Sequence, residues 1–470
     1  MTMRLQPRLA AAAILLAGFC ATIAISWPGH LSYDSIVQLH DGRSGFYHSW
    51  HPPVMAWLLG LGDRLLPGPG LFMLFEAALG FGALAAVLWL GPVKGWSAAI
   101  AAAVFVFLPQ LVLYQAIVWK DVLFADAVLA AFVALAFAEK HWRSFRRRMA
   151  WLAAAVLFLV LATLTRQNGA VLVPVAAIAI GIAAARKTGW QSGLAHGCGL
   201  LLAVAAIALA ANAALARHSD HGEGPRAQIK LLRLYDLVGA LKLDPSLPLT
   251  RLDNDAPELA RLMRSDGVRL YTPERNDTLV GSQALQDELS DAPPSLLATQ
   301  WYDLVLHHPW LYLRVRAAIF GWVFFTPDLA ACRPVYTGID GPAEEMQELG
   351  IARRFDDRDR ALGAFAQAFA GTPVFSHAFF ALLGLAAALA LFGRGGPGDR
   401  ALAWMMLGAL AFAASFFVIS IACDYRYLYV VDLTALAAVF AVACDPGYLF
   451  QVVAMWPGSF WVARSDARKS

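Results

Sequence analysis

The stretch YDSIVQLHDGRSGFYHSWHPP, residues 33–53, places two aspartates, three histidines and an arginine between two apolar segments. Carboxylate and imidazole groups are the side chains that most often accept or move protons near neutral pH. Asp34 lies near the start of this stretch, and His51 lies near its end, beside Pro52 and Pro53. His48 and His51 lack the helical spacing and the third partner of a zinc site, so we assign no metal ligands here.

Three further polar clusters lie at the ends of apolar segments: YQAIVWKDVLFAD over 114–126, LTRQNG over 164–169 and CDYRYLY over 423–429. Each contains one basic residue, which is Lys120, Arg166 or Arg426. A charge at the end of a membrane helix is costly unless it is paired, hydrated or used. Such side chains can simply extend to the membrane surface. Their acidic and amide neighbours favour the alternative, a shared anionic ligand.

Asp34 has a structural explanation as well as a chemical one. The segment SYDSIVQLH is typical of a short amphipathic surface helix capped by Ser32, with an acid in the first turn, where the helix dipole favours it. The same geometry would hold the carboxylate rigidly at the membrane surface. Asp34 is therefore a candidate general base.

The elements that must position these residues are membrane helices. Of 470 residues, 59% are hydrophobic and 15% are charged, which is far from the composition of a soluble domain. Several of the apolar segments approach the roughly 20 residues that a spanning helix needs. Segments 53–66 and 311–326 contain charged residues, so we expect them to lie at the membrane surface. The sequence thus predicts an all-α polytopic membrane protein with about ten transmembrane helices.

Basic residues orient this arrangement. With ten spans, fifteen Lys and Arg residues fall on one face, as expected for the cytoplasm. The N-terminal segment is then an uncleaved first helix that begins in the cytoplasm. The predicted organisation is a transmembrane module over 1–216 with a first outer loop at 28–69, a mainly helical extracytoplasmic region over 217–372 with an interfacial helix at 311–326, transmembrane helices over 373–443 and a cytoplasmic tail over 444–470.

Other features limit the classes of function. A net charge of +3, with no basic run interleaved with aromatics, gives no reason to expect a nucleic-acid partner. Cys332 and Cys423 could both face an oxidising compartment, where a disulfide between them is one possibility. Glu76, Asp126 and Asp432 lie inside apolar segments. They would suit an ion pathway in a transporter or hydrogen-bonded packing, and we favour packing for Glu76 and Asp432.

The order of these motifs resembles the GT-C superfamily of membrane glycosyltransferases, especially the protein O-mannosyltransferases and the lipid A aminoarabinose transferase. YDSIVQ matches the outer loop with an essential acid, and WHPP matches the start of a membrane-hugging helix, with His51 where the lipid A enzymes have Lys. WKD and LTRQNG match later motifs, with Arg166 where many relatives have Lys. The resemblance covers about the first 220 residues. Ser35 stands where O-mannosyltransferases have a second acid.

This resemblance implies transfer of a sugar from a polyprenyl-phosphate donor to an acceptor hydroxyl on the extracytoplasmic side. Asp34 would be the general base. The donor phosphate would be bound by Lys120, Arg166, His51 and Arg426. Supporting roles would fall to Asp121, Tyr33, Gln38, Asn168, Asp424 and Tyr425.

The acceptor class stays open among lipid, glycan and protein, and the membrane lipids are further partners. A divalent metal is possible in the superfamily, although nothing in the sequence demands one. Alanine and arginine richness favours a bacterium, so the site would be periplasmic and the membrane the inner membrane. Two alternatives remain: a transporter or flippase of a lipid-linked or anionic solute, and a surface polysaccharide polymerase or ligase. Transporters often contain internal repeats, and we find none.

Overall fold

The computed structural model describes residues 6–220 and 223–447. Its regular structure is helical, and in the described ranges the only β pairing is a few isolated bridges. Arg4 and most of the predicted tail over 444–470 lie outside the described residues. The all-α prediction is confirmed.

The first half of the chain forms ten α-helices. They are α1 Gln6–Ser26, α2 Tyr33–Ser44, α3 Val54–Leu65, α4 Gly70–Ala86, α5 Ser97–Phe105, α6 Pro109–Val112, α7 Lys120–Lys140, α8 Phe145–Thr165, α9 Leu172–Thr188 and α10 Trp190–Ala216. Helices α2 and α3 are short and pack against each other. Gly42 and Gly60 lie at their contact, because a Cβ on either would collide with the backbone of the other helix.

The region after α10 is also helical. It contains α11 Glu223–Leu243, α12 Thr250–Asp255, α13 Pro257–Leu262, α14 Val268–Leu270, α15 Asp277–Val280, α16 Gln283–Asp291, α17 Pro294–His307, α18 Pro309–Phe325, α19 Leu329–Cys332, α20 Ala343–Leu349 and α21 Asp357–Gln367. Three long helices follow: α22 His377–Arg394, α23 Asp399–Ile419 and α24 Tyr429–Cys444.

In the described part of the chain, nine helices are long and apolar enough to cross a membrane. The number is ten if the pair Ser97–Phe105 and Pro109–Ala116, which is bent by 66°, is counted as one broken span. The bend has a local cause, since Leu108 precedes Pro109 and adopts an extended conformation, as residues before proline tend to do. The prediction of about ten spans is therefore confirmed.

Helix α7 is the centre of the membrane bundle. Its sequence is apolar on every face, which is typical of a helix surrounded by others, and its apolar length is completely buried. It packs against α4, α8, α23 and α24. Lys120 is the first residue of this helix, so the position of its side chain is set by the bundle.

Residues 231–319 form an apolar core of their own, built around α11, α17 and α18. The segment 311–326, which the sequence predicts as an interfacial helix, is helical and forms most of α18. Its Arg316 is completely buried and forms an ion pair with Asp236 of α11. Arg316 also donates to the carbonyl oxygen of Ser420 at 2.8 Å, which joins this region to the end of α23.

Candidate active site

Asp34 is fixed by contacts at the N-terminus of α2. Ser32 and Ser35 form a capping box there, so the predicted cap is confirmed. Ser35 donates to the carbonyl oxygen of Val118 at 2.6 Å, and the indole N–H of Trp119 donates to the hydroxyl oxygen of Ser32 at 2.9 Å. The start of α2 is therefore attached to the segment that leads into Lys120.

His51 lies between Asp34 and Lys120. Its Nδ1 is 2.8 Å from Nζ of Lys120, and its Nε2 is 3.5 Å from Oδ1 of Asp34. The histidine side chain is 13% exposed and the Asp34 side chain 26%. The histidine of the WHPP motif thus contacts both the Asp34 carboxylate and the Lys120 ammonium.

Arg426 brings the C-terminal part of the chain to the same place. Its Nη2 donates to Oδ2 of Asp34 at 2.7 Å and to Oδ2 of Asp424 at 3.2 Å. Its Nε is 3.7 Å from Oδ2 of Asp121. The guanidinium also lies 4.9 Å from the centre of the Trp119 ring, a geometry in which a cation is attracted to an aromatic face.

Arg166 completes the cluster from the end of α8. It forms an ion pair with the buried Asp121 at the start of α7. Its guanidinium lies 5.1 Å from the ring centre of Tyr427 and 5.3 Å from that of Phe416. Asp121 therefore links Arg166 to Arg426. The four residues predicted to bind the donor phosphate, which are His51, Lys120, Arg166 and Arg426, thus lie in one continuous cluster with Asp34.

Arg275 is a member of this surrounding network that the sequence did not indicate. Its Nη1 lies 2.8 Å from Oδ1 of Asp424. The segment around it pairs with the one before Asp424, because the N–H of Cys423 donates to the carbonyl oxygen of Glu274 at 2.8 Å. A disulfide joins Cys332 to Cys423, which confirms the suggested pairing. These contacts fasten the turn that carries Arg426 to the region over 217–372.

The remaining residues with predicted supporting roles lie at different distances from the cluster. Gln38 donates to the backbone oxygen of Asp34 at 3.2 Å. Asn168 donates to Ser415 at 3.0 Å and so anchors the turn after Arg166. Tyr33 is 63% exposed and points outward.

Tyr425 lies beneath the cluster and not within it. Its hydroxyl donates to Oδ2 of Asp432 at 2.6 Å, and its ring stacks on His377. His377 in turn is 2.8 Å from Oδ1 of Asp432. The hydrogen-bonded packing expected for Asp432 is thereby confirmed, and it holds the turn that precedes α24.

The electrostatic environment decides the protonation of Asp34. Burial raises the pKa of its carboxyl group, but the guanidinium of Arg426, followed by the hydrogen bond with His51, outweighs burial and holds the pKa well below its usual value. Burial and the charge of Lys120 lower the pKa of His51 to about 4, against the opposing effect of Asp34. At neutral pH, Asp34 is therefore an anion and His51 is neutral.

The residues present do not fit a divalent cation. In residues 6–220 and 223–447, no group of three or more His, Cys, Asp or Glu side chains is placed to hold a metal ion. The carboxylates of Asp34, Asp121 and Asp424 are instead paired with guanidinium groups. No step proposed below uses a metal.

The cluster is suited to binding an anionic ligand. A lysine ammonium has three N–H donors, and Lys120 directs one towards neutral His51. Two donors are left for a ligand. Lys120 is thus the cation of this cluster whose hydrogen-bond partner is neutral, and such a charge, partly withdrawn from water, would stabilise an anion more strongly than it would in solution.

No family model and no curated protein matches the chain. Among solved structures, it is similar to the archaeal oligosaccharyltransferase AglB from Archaeoglobus fulgidus, in complex with an inhibitory peptide and a dolichol-phosphate. The identity is 14% and the TM-score 0.42, and the match covers 94% of this chain and 51% of the other. The chain thus spans about half the length of that oligosaccharyltransferase.

A second similar structure is ArnT from Cupriavidus metallidurans bound to undecaprenyl phosphate. The identity is again 14%, the TM-score is 0.37, and the match covers 91% of this chain and 77% of ArnT. Both proteins belong to the GT-C superfamily that the sequence motifs resemble.

Proposed function

We propose that this membrane protein transfers a sugar from a polyprenyl-phosphate donor to an acceptor hydroxyl, with Asp34 as the general base. One observation supports this most directly. Asp34, Lys120, Arg166 and Arg426 come from four distant parts of the sequence and meet in one cluster. A carboxylate beside several cations is the combination that such a reaction needs.

In the proposed reaction, the acceptor hydroxyl gives its proton to Asp34 while its oxygen forms a bond to the anomeric carbon. The bond between that carbon and the phosphate oxygen breaks, and its electron pair stays on the phosphate. The polyprenyl phosphate leaves, and Asp34 later releases the proton to water. Lys120, Arg166 and Arg426 stabilise the charge that develops on the leaving phosphate.

The low pKa of Asp34 is compatible with this role. The attacking oxygen becomes strongly acidic as it bonds to the anomeric carbon, so a weak base that stays ionised can take the proton late in the step. An acid that was partly protonated at neutral pH would be available as a base in only a fraction of the molecules.

We place the cluster on the extracytoplasmic side of a bacterial inner membrane. The support for this placement is the distribution of basic residues and the richness in alanine and arginine. On this proposal the region over 217–372 would contact the acceptor, because it is fastened beside Asp424. The sugar and the acceptor class are left open.

The experiment compares purified protein, Asp34→Asn and Asp357→Asn, incubated with polyprenyl-phosphate sugars and candidate acceptors. We expect Asp34→Asn to fold normally and to lose transfer by about 10²- to 10⁴-fold, the usual contribution of a general base. Asp357 is an exposed carboxylate in the first turn of α21. Like Asp34 it is an acid near a helix N-terminus, but it lies outside the cluster, so it is the matched control. Near-normal turnover by Asp34→Asn would remove Asp34 from this role.

A further inference from the structure

His51 is held by partners on both ring nitrogens. Nδ1 is 2.8 Å from Nζ of Lys120, and Nε2 is 3.5 Å from Oδ1 of Asp34. The side chain is largely buried. The ring therefore bridges a cation that would bind phosphate and the carboxylate that would act as base.

The contact with Lys120 determines where the imidazole proton lies. While Lys120 is an ammonium it has donors and no acceptor, so Nδ1 of His51 accepts and carries no hydrogen. A doubly protonated ring would place two positive charges in direct contact. The neutral ring consequently has its hydrogen on Nε2, which is the nitrogen that faces Asp34.

We infer that His51 is a neutral positioning residue for Asp34 and not one of the cations that bind phosphate. This inference rests on the proposed function. Arg426 holds Oδ2 of Asp34, and Nε2 of His51 lies 3.5 Å from Oδ1, within reach of a hydrogen bond that shortens when the acceptor binds. Two contacts fix the rotation of the carboxylate, whereas one would leave it free to turn, and a fixed lone pair can then face the acceptor hydroxyl.

The charges around the ring agree with this assignment. Lys120 and Arg426 both disfavour a proton on His51, and Asp34 favours one. Burial acts in the same direction as the two cations and is the larger effect, so the pKa is lowered to about 4. His51 therefore differs from the lysine that stands at this position in the lipid A enzymes, because it brings a directed N–H and no charge.

Two amide substitutions separate the two ring nitrogens. In His51→Gln, the amide N–H reaches the place of Nε2 and can still donate to Asp34. In His51→Asn, the amide reaches only the place of Nδ1, so it can accept from Lys120 and cannot reach Asp34. We expect His51→Asn to lower kcat by about 10²-fold, as a misplaced catalytic group does, with little change in KM for the donor. His51→Gln should keep most of kcat.

A cationic role for His51 predicts a different result. Both amides would then raise KM for the polyprenyl-phosphate sugar and leave kcat similar, and His51→Lys would restore donor binding. That pattern would overturn the inference. Under our inference, His51→Lys has low kcat like His51→Asn, since it provides charge and no fixed hydrogen bond.

The tautomer can be measured without any activity. Protein labelled with ¹⁵N-histidine in lipid nanodiscs, with a His51 variant subtracted, should show a neutral ring with hydrogen on Nε2 near pH 6, where His51 is neutral and Lys120 is an ammonium. A charged ring, or hydrogen on Nδ1, would contradict the inference. This spectrum needs no substrate, so it tests the state of His51 independently of activity. If the protein transfers no sugar from polyprenyl phosphate but the spectrum is as expected, the proposed function fails and the assignment of His51 stands.

Discussion

Single side chains in this cluster act through the partners that surround them. Asp121 is buried and would be costly as an isolated charge, but it is paired with Arg166 and lies 3.7 Å from Arg426. Lys120 is different, since its hydrogen-bond partner is a neutral imidazole. The two kinds of cation should therefore respond differently to substitution: the arginines also hold the cluster together, whereas Lys120 is the most available for a ligand.

Lys120→Ala should reduce transfer by about 10²- to 10³-fold, the usual loss when one stabilising donor to a developing anion is removed. Lys140→Ala is a matched control, because Lys140 ends the same helix at the opposite end and is exposed. The measurement is steady-state transfer with the donor varied. Unchanged donor use by Lys120→Ala would take this lysine out of the site.

Arg426→Gln should change the pH profile as well as the rate. Arg426 is the main group that lowers the pKa of Asp34, so that pKa should rise when Arg426 is replaced. A base is active above its pKa and is lost as the pH falls through it. The wild-type protein should thus show no acidic loss from Asp34 above pH 5, and the variant should lose kcat/KM at a higher pH. An acidic limb at the same pH in both proteins would contradict this assignment.

At the scale of the helices, the geometry of the site depends on how closely α2 and α3 approach. Asp34 is on α2 and His51 precedes α3, so the distance between them follows from the packing of this pair. Gly42 and Gly60 permit the contact because neither has a side chain. The site and the glycine contact are therefore parts of one local structure.

Gly60→Ala should force α2 and α3 apart. Its methyl group would meet the backbone of Gly42, and overpacking of this kind costs about 1–3 kcal/mol. Gly62→Ala is the control on the same helix, since its methyl group would lie 3.4 Å from the Cβ of Leu71, an ordinary contact. Thermal unfolding and transfer are measured together. Equal Tm and kcat for the two variants would show that the contact does not set the site.

Much of the site could be predicted because membrane helices make polar residues conspicuous. Lys120, Arg166 and Arg426 stand out at the ends of apolar segments, and the capping pattern located Asp34. Arg275 could not be found this way, since it lies in a polar region with many surface charges and pairs with Asp424 across a long sequence separation. The bridging geometry of His51 was also beyond the sequence, because it depends on a distance and a tautomer.

For the whole molecule, the position of the ionisable groups bears on the alternative of transport. Glu76 on α4 and Asp126 on α7 are completely buried inside the bundle. Asp126 accepts a hydrogen bond from Gln115 at 2.8 Å, and Gln115 also donates to Tyr429 at 3.1 Å. These contacts are between helices. They link Asp126 to neighbouring segments of the bundle, and Asp34 is not among these contacts.

The double variant Glu76→Gln and Asp126→Asn should retain sugar transfer. The amides keep the shape of the carboxyl groups and remove their ionisable protons, so an ion pathway would be lost while transfer at the cluster would continue. Transfer and proton flux in reconstituted vesicles are the two readouts. Loss of transfer by a correctly folded variant would mean that these acids belong to the reaction.

The burial of α7 has a consequence for the lipid environment. Helix α10 has most of its surface exposed, with only 17% of its apolar window buried, whereas α7 is enclosed by its neighbours throughout its apolar length. Bilayers of different thickness act on the helices that touch lipid, which tilt or recruit flanking residues. The enclosed helix does not touch lipid, so the depth of Lys120 relative to the rest of the bundle stays constant when the membrane composition changes.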